Sequence, residues 1–213
     1  MQTVKLDPKT VSILKNFSTI NQSLQVKPGN VLKTISPLKT VFVEATVSET
    51  FPKEAAVYDL NKLLAKVSLY KEAELDFGDG KLHITTESRK KNDSISYCSP
   101  KVIVTPPDKP ISIGEPDCSF SLSQEDLDWM RKSAGISGSP NFVFESDGDK
   151  ITFTATDVKD DAADQSTIDI GSGNGTKFKV VMKVENFKLM EGSYDVAVAK
   201  KGLAQFKNKN VPI

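Results

Sequence analysis

The chain has 213 residues with 38% hydrophobic and 26% charged side chains, and its 28 basic and 28 acidic residues give a formal net charge of zero. This length is enough for one large domain or two ordinary ones, and the composition is typical of a folded protein rather than a disordered one. Zero net charge excludes a protein that coats nucleic acid non-specifically with its whole surface, although it allows a basic face balanced by an acidic one.

The two cysteines, Cys98 and Cys118, are too few for a disulfide framework and indicate a reducing compartment. No apolar run approaches the length needed to cross a bilayer, and the first residues, MQTVKLDPKT, lack the apolar core of a signal peptide. We therefore expect an intracellular protein that has no membrane partner.

The first predicted helix follows a short strand in VKLDPKTVSILKNFSTI, where Asp7 is a favourable N-cap residue and Pro8 suits the first helical position. Helical spacing predicts a buried face made of Val11, Leu14, Phe17 and Ser18. The short alternating segments that follow predict antiparallel strands in SLQVKP, NVLKTIS, VFVEATV and KEAAVYD.

A second helix is predicted in DLNKLLAKVSL, with Asp59 as its N-cap residue. The residues expected on its buried face are Leu60, Leu63, Leu64 and Val67. A hairpin that turns at Asp79–Gly80 and a strand over Ser94–Ser99 complete this half of the chain.

The segment Lys101–Gly114 is predicted to be an extended connector. It contains Pro106, Pro107 and Pro110, and proline cannot donate a hydrogen bond to a central β-ladder. After this segment the order of elements restarts, which indicates a second domain.

The stretch FSLSQEDLDWMRKSAGI has the layout of the first helix, 116 positions later. Ser123 is the predicted N-cap residue. The residues expected on the buried side are Leu127, Met130 and Ala134. In this alignment Ile13 falls on Trp129, and Ile20 falls on Ile136.

The rest of the second half is rich in predicted strands. A hairpin turns at Asp147–Gly148, STIDI and KFKVVMK are strands on either side of a flexible loop GSGNGT, KVENFKLM is a short helix, and GSYDVAVAKKGLAQFKN is a hairpin. The predicted fold is therefore α+β, with similar domains over residues 1–100 and 112–213 joined by a connector over 101–111. Each domain is expected to combine antiparallel sheets with two helices.

No active site is predicted. His83, the single histidine, lies in a predicted strand, which argues against a histidine-rich zinc site and a Ser–His–Asp triad. The loop GSGNGT lacks the Lys–Ser/Thr pair of a phosphate-binding loop. Asp160, Asp161 and Asp164 allow either a metal site or a solvated acidic loop, and the solvated loop is favoured. We expect no catalysis, no cofactor and no metal.

Basic residues accumulate on the four predicted helices. They are Lys9, Lys15, Lys62, Lys66, Arg131, Lys132, Lys183 and Lys188. Acidic residues lie mostly at the helix starts, so complementarity to the helix dipole is one explanation. The other is that the helices line one surface and present a basic stripe to a polyanion.

Segments in matching order over nearly the whole chain resemble the sliding clamps of T4-like bacteriophages, the processivity factors of the replicative DNA polymerase. These segments are LKNFSTINQSL, VYDLNKLLAKVSL, TPPDKPI and VENFKLMEGSYDVAVAKKGLAQF. The resemblance implies a homotrimeric ring with two similarly folded clamp domains in each subunit. It also implies that the helices line a hole for duplex DNA and that the antiparallel sheets form the outside.

The resemblance makes the eight basic helix residues a DNA-facing set, with Lys5 in the preceding strand as a weaker member. Such side chains would contact phosphates and carry no sequence information. It further implies that the strand before the connector pairs with a strand in the second domain of the next subunit, which would satisfy exposed edges. The corresponding interface residues are Ile95, Tyr97, Ile168 and Ile170. Both segments are equally compatible with ordinary internal strands.

The family also docks partner peptides in an apolar pocket beside the connector. The candidate walls here are Val102, Ile103, Val104, Pro107 and Ile111, with Tyr194, Val211, Pro212 and Ile213 as weaker candidates. Simple packing of the connector onto the domain beneath it explains the connector residues equally well. The implied partners are duplex DNA, the phage DNA polymerase, the clamp loader and, as further candidates, transcription factors, all in the cytoplasm of the infected bacterial host.

Two alternative functions stay open at this point. An oligomeric β-rich phage structural protein without DNA-encircling activity would explain the strands and the lack of catalytic residues, but not the basic helices or the repeat. A hydrolase that uses a metal in the acidic loop is the third reading.

Overall fold

The computed structural model describes residues 3–86, 88, 90–109, 111–199 and 201–213. The described chain forms two compact units that divide between Asp108 and Lys109, within the segment expected to connect the domains, and the first unit also includes Ile213. Pro110, one of the prolines expected to stiffen that segment, lies outside the described residues.

The first unit is built from antiparallel strands and two α-helices. Its elements are β1 (Thr3–Lys5), α1 (Pro8–Ile20), β2 (Leu24–Val26), β3 (Gly29–Ile35), β4 (Phe42–Phe51), β5 (Ala55–Val57), α2 (Leu60–Val67), β6 (Glu74–Phe77), β7 (Lys81–Thr85), β8 (Asp93–Ser96) and a 3-10 turn (Pro100–Val102). The sheet order is β1-β6-β7-β8, and β2 pairs with β5 and β3 with β4. The strand β8 therefore lies at a sheet edge among the described residues.

Both helices of the first unit begin where the sequence predicts. An Asp7 side-chain oxygen accepts a hydrogen bond from the Lys9 amide at 2.7 Å, and Asp59 accepts one from the Lys62 amide at 2.8 Å. The predicted buried face of α2 is confirmed. These caps satisfy amide groups that a helix start leaves without partners.

The predicted buried face of α1 is partly wrong, because Val11 and Ser18 are only half-buried. The residues that the structure buries are Thr10, Ile13, Leu14, Phe17 and Ile20. The helix packs against α2 as well as against β3 and β4, so its covered arc is wider than one apolar stripe. The Thr10 hydroxyl is buried because it donates to the Glu49 carboxylate on β4 at 2.7 Å.

The second unit is richer in strands. Its elements are β9 (Cys118–Leu122), α3 (Gln124–Ser137), β10 (Asn141–Asp147), β11 (Lys150–Thr156), β12 (Ser166–Ser172), β13 (Lys177–Lys183), a 3-10 turn (Val184–Asn186), β14 (Tyr194–Ala199) and β15 (Leu203–Asn208). The sheet orders are β12-β11-β10-β13 and β15-β14-β9, and neighbouring strands are antiparallel. The strand β12 is thus a second edge strand within the described chain.

The helix α3 matches its prediction closely. Ser123 caps it by accepting a hydrogen bond from the Asp126 amide at 3.0 Å, and the helix ends at Gly138 in the left-handed conformation that glycine adopts without strain. The buried residues are Leu127, Met130 and Ala134, as predicted. The second unit has an aromatic core in which the Phe144 and Phe153 rings stack with centroids 4.4 Å apart.

The predicted fourth helix in KVENFKLM is wrong, since the structure has a single 3-10 turn there. The Val184 amide donates to the Pro140 carbonyl oxygen at 2.9 Å, and the buried Phe187 ring packs with its centroid 4.9 Å from that of Phe142. Insertion of this ring into the core stops helix growth. The α+β class and the antiparallel sheets are confirmed, with three α-helices among the described residues.

Candidate functional site

Three of the expected DNA-facing side chains lie exposed on two neighbouring helices of the first unit. Lys9 and Lys15 are on α1, and Lys62 is on α2. The two helices pack directly against each other. None of the three ammonium groups forms an ion pair within the described part of the chain. This arrangement concentrates uncompensated positive charge on one helical layer.

Two other expected members of the set in this unit already have carboxylate partners. The Lys5 ammonium lies 3.1 Å from a Glu72 carboxylate oxygen, in an exposed pair. The half-buried Lys66 ammonium forms an ion pair with Asp93 at the start of β8, and the Tyr70 hydroxyl donates to the other Asp93 oxygen at 2.9 Å. The hydrogen bonds from Lys66 and Tyr70 hold the pKa of Asp93 below its ordinary value.

Lys132 is the exposed cation of α3, whereas its neighbour Arg131 is turned inward. The Arg131 guanidinium donates to the Leu189 carbonyl oxygen at 3.0 Å and lies 5.8 Å from the centre of the Phe187 ring. These contacts fix the segment that replaces the predicted fourth helix. Arg131 therefore has a structural role.

The last two expected DNA-facing residues flank the 3-10 turn rather than a helix. The Lys183 ammonium, at the end of β13, lies 3.2 Å from a Glu185 carboxylate oxygen. The Lys188 amide donates to the Asn186 carbonyl oxygen at 2.9 Å just after the turn. The helical positions predicted for both residues are thus corrected.

The strands expected to join subunits both have an open side. Ile95 on β8 is half-buried between exposed neighbours, and Tyr97 follows the strand, with its amide bonded to the Gly80 carbonyl oxygen at 3.0 Å. Burial, together with the charges of two nearby carboxylates, raises the pKa of Tyr97 to about 12. On β12, Ile168 and Ile170 are half-buried and pack against the core of the second unit.

Exposed apolar side chains lie beside both edges. Leu69, 71% exposed, follows α2 between Lys66 and Tyr70, the two residues that bind Asp93 of β8. In the second unit α3 packs against β12 and exposes Trp129 and Ile136, the latter by 88%.

The repeat explains why Trp129 and Ile136 are uncovered. Their matched residues in the first unit, Ile13 and Ile20, are buried on α1, which has α2 beside it. The second unit has a 3-10 turn in place of that second helix. The 116-residue repeat could have predicted that Trp129 and Ile136 are exposed. That prediction also requires knowing that the second unit has no second α-helix among the described residues.

A groove of about 230 Å³ runs beside the connector in the first unit. Its lining residues are Gln25, Lys27, Pro28, Val31, Lys33, Pro106, Pro107 and Asp108. Of the predicted pocket walls, Pro107 is in this groove. Val102 and Val104 are exposed elsewhere on the connector. The Val104 carbonyl oxygen accepts a hydrogen bond from the side-chain amide of the buried Asn21 at 3.0 Å. Ile103 is half-buried outside the lining.

The weaker pocket candidates do not line this groove, and neither does Ile111, one of the main candidates. Tyr194 as a wall of an open pocket is wrong, because it is 2% exposed in the core of the second unit, with its hydroxyl donating to the Met190 carbonyl oxygen at 2.9 Å. Ile111 is exposed in the second unit. The chain end lies beyond β15, where Val211, Pro212 and Ile213 are half-buried or exposed.

The structure also describes the loop GSGNGT, His83 and the residues considered as metal ligands or membrane spans. The loop GSGNGT is hydrogen-bonded, contrary to expectation, since its Gly173 amide donates to the Asp149 carbonyl oxygen at 2.6 Å. His83 is half-buried in β7. The described residues contain no cluster of three potential metal ligands, and no helix among them is long and apolar enough to span a bilayer.

Comparisons with known proteins point to one family. Residues 5–105 match the model of the DNA polymerase processivity factors. The chain is 28% identical to the sliding clamp of Vibrio phage KVP40, covering 95% of this chain and 94% of that protein. It is 27% identical to the sliding clamp of Enterobacteria phage T4, covering 97% and 93% respectively.

Solved structures show the same fold at low sequence identity. A. fulgidus PCNA, solved with the C-terminal region of FEN-1, is 12% identical and has a TM-score of 0.71, covering 97% of this chain and 91% of that one. The PCNA2-PCNA3 complex from Sulfolobus tokodaii gives 14% identity and a TM-score of 0.70, covering 99% and 94%.

Proposed function

We propose a working mechanism for this chain from the premise that it belongs to the sliding clamps of T4-like phages, the processivity factors of DNA polymerases. The chain is a DNA sliding clamp that tethers the replicative polymerase to duplex DNA. In this mechanism topological linkage keeps the ring on DNA, so each protein–phosphate contact stays weak enough for sliding.

The exposed ammonium groups of Lys9, Lys15 and Lys62 form the main DNA-facing surface of the first unit, and Lys132 contributes from the second. The observation that carries this assignment is their position on α1, α2 and α3 without a carboxylate partner among the described residues. Long flexible lysine side chains reach phosphates directly or through water and read no bases. Lys5, Lys66 and Lys183 contribute less, because each already pairs with a carboxylate.

Three copies close into a homotrimer by pairing β8 of one subunit with β12 of the next. This head-to-tail contact joins two different surfaces and closes after three rotations. Within the described chain both strands have a neighbouring strand on one side only, which is the property that strand addition requires. Leu69 beside β8 and Ile136 beside β12 then supply an apolar contact next to the paired strands.

The polymerase and the clamp loader dock on the groove beside the connector. Val31, Pro106 and Pro107 give it apolar walls, and its volume suits the side chains of a short peptide rather than a whole domain. The protein acts in the cytoplasm of the infected bacterial host. Transcription factors are further partners for the same groove.

A run-off experiment tests the DNA-encircling surface. The protein is loaded by its clamp loader onto nicked circular DNA, which is then cut once. Wild-type protein is expected to stay on the circle and to leave the linear product. The triple variant Lys9→Glu, Lys15→Glu, Lys62→Glu is expected to load onto the circle poorly and to lose clamp-stimulated synthesis while remaining trimeric, because acidic side chains on this surface repel the phosphates.

The matched control carries the same charge change on exposed lysines outside the α-helices, as Lys39→Glu, Lys101→Glu, Lys159→Glu. This variant should load onto the circle and stimulate synthesis as well as the wild type does. Equal loading and stimulation by both triple variants would contradict the assigned DNA surface. A wild-type protein that binds neither the circle nor the linear product would contradict the function itself.

A further inference from the structure

The groove beside the connector has an unusual charge pattern for an apolar peptide site. Its walls include Val31 and Pro107, but two ammonium groups, those of Lys27 and Lys33, stand at the same groove. The carboxylate of Asp108, at the end of the first unit, forms an ion pair with Lys27. The Lys27 ammonium group is therefore a binding position for an anion at the groove, and the Asp108 carboxylate of the same chain occupies it.

Both lysines act on that internal anion. The hydrogen bond from Lys27 and the positive charges of Lys27 and Lys33 keep the pKa of Asp108 below its ordinary value. Lys33 also pairs with Glu44 across the β3–β4 ladder, with 2.7 Å between nitrogen and oxygen. Lys33 is thereby held in place, whereas Asp108 sits on an extended segment without a regular ladder.

The Asp108 side chain is 86% exposed, so water reaches it freely and competes for its partner. Exposed ion pairs exchange readily because solvent screens their attraction. The connector is anchored more firmly upstream, at Val104. There the side-chain amide of the buried Asn21 donates at 3.0 Å both to the Ile35 and to the Val104 carbonyl oxygens. Release of Asp108 would thus free the end of the connector at the groove and leave its start fixed.

We infer that the groove selects an extended partner peptide with a carboxylate among apolar side chains, and that Asp108 fills the carboxylate position until the partner displaces it. The inference rests on the proposed docking function and adds the chemistry of the partner and its competitor. Apolar walls bind the peptide's aliphatic or aromatic side chains, and Lys27 with Lys33 binds its anion. Partner affinity is then set by an exchange between two carboxylates.

The test measures binding of the replicative polymerase of the same phage to immobilised full-length clamp by surface plasmon resonance, at low and high salt. Asp108→Asn removes the competitor and is expected to tighten binding about threefold at low salt. Lys27→Gln with Lys33→Gln removes the anion site and is expected to weaken binding about tenfold and to flatten its salt dependence. Lys101→Gln, an exposed lysine outside the groove, is the control.

The outcomes separate this inference from the function on which it rests. If wild-type clamp binds the polymerase and both groove variants bind with unchanged affinity and salt dependence, the carboxylate exchange is overturned and the docking function stands. If wild-type clamp does not bind the polymerase, both are overturned. Sedimentation and thermal unfolding confirm that each variant is trimeric and folded.

Discussion

Lys66 on α2 and Asp93 at the start of β8 form an ion pair that ties the end of a helix to an edge strand. The Tyr70 hydroxyl donates to the same carboxylate at 2.9 Å, so α2, the segment that follows it and β8 meet at the Asp93 side chain. This junction places Leu69 beside the strand that we propose as a subunit edge. The ion pair thus engages Lys66, one of the expected DNA-facing residues, and fixes the position of the assembly surface that we propose.

The stability contributed by Asp93 should depend on pH. Its pKa is lowered in the folded protein, first by the hydrogen bond from Lys66 and then by that from Tyr70. A carboxyl group with a lowered folded-state pKa contributes stability above its unfolded pKa of about 3.9, and loses it as pH falls through the folded value. We expect Asp93→Asn to be less stable than wild type at pH 7 and to approach it at pH 3.

Urea unfolding at both pH values measures this difference, at a protein concentration held constant because assembly adds to apparent stability. Asp79→Asn is the control, since that carboxylate is exposed in a hairpin turn and pairs with Lys53. A gap between Asp93→Asn and wild type that stays the same from pH 7 to pH 3 would argue against the ion pair as its source.

Local signals made most of the fold predictable. Asp7, Asp59 and Ser123 cap helices because their short polar side chains satisfy nearby amide groups, which requires no knowledge of the rest of the chain. Turns at Gly80 and Gly148 were predictable for the same reason, since both have the positive φ that glycine tolerates. The segment around Phe187 was not, because burial of one ring overrides the local helical pattern.

The candidate surfaces were less predictable because they combine distant parts of the chain. Lys27 and Lys33 meet Asp108 at the groove, although about 75 residues of sequence lie between them. Exposure of Ile136 depends on the absence of a covering helix, which its own segment does not encode. The basic helix pattern allowed a polyanion surface or complementarity to the helix dipole, and it could not tell Lys9 from Lys66, whose partner lies on another element.

The buried carboxylate of Glu49 should be important for the first unit. It accepts hydrogen bonds from the Asp7 amide at 2.6 Å and from the Thr10 hydroxyl at 2.7 Å, both at the start of α1. Glu49→Ala leaves these donors without a partner, and we expect it to lower the free energy of unfolding by about 2 kcal/mol. Chemical denaturation measures the loss.

Thr10→Val is the matched comparison, because it removes one donor and keeps the shape of the side chain. We expect a smaller loss of about 1 kcal/mol. If Thr10→Val costs as much as Glu49→Ala, the carboxylate does not stabilise the helix start beyond its contact with the hydroxyl.

Gly173 should be intolerant of any side chain. A Cβ atom there would overlap the carbonyl oxygen of Gly148 in the neighbouring hairpin turn. Two backbone hydrogen bonds hold the loop on that turn, including one from the Gly175 amide to the Gly148 carbonyl oxygen at 2.9 Å. We expect Gly173→Ala to destabilise the protein by about 2 kcal/mol, as overpacking does, in thermal or chemical unfolding.

Gly135→Ala gives the opposite sign in the same unit. Gly135 lies within α3, and a Cβ atom there meets nothing within 4 Å. Alanine is the better helix former, so we expect this variant to be more stable by about 0.5 kcal/mol. Two variants with equal stability would show that the tight approach of Gly173 to Gly148 has no energetic consequence.

Ile136 provides the sharpest test of assembly. Its side chain is 88% exposed on α3, which packs against the edge strand β12, so its apolar surface has no cover within the described subunit. In the proposed trimer it meets Leu69 of the next subunit. Ile136→Glu would bury an unpaired charge there, and we expect it to raise the concentration at which half of the protein is trimeric by about tenfold or more. Sedimentation equilibrium measures this concentration.

Leu38→Glu is the matched control, because Leu38 is 80% exposed in the β3–β4 turn of the first unit and belongs to neither edge strand. It should leave the trimer unchanged. Leu69→Lys combined with Ile136→Glu places opposite charges across the contact and should restore trimerisation in part. Recovery would locate the apolar contact between subunits at these two residues. A double variant that dissociates further than Ile136→Glu alone would place Leu69 outside it and leave the edge-strand pairing to close the ring.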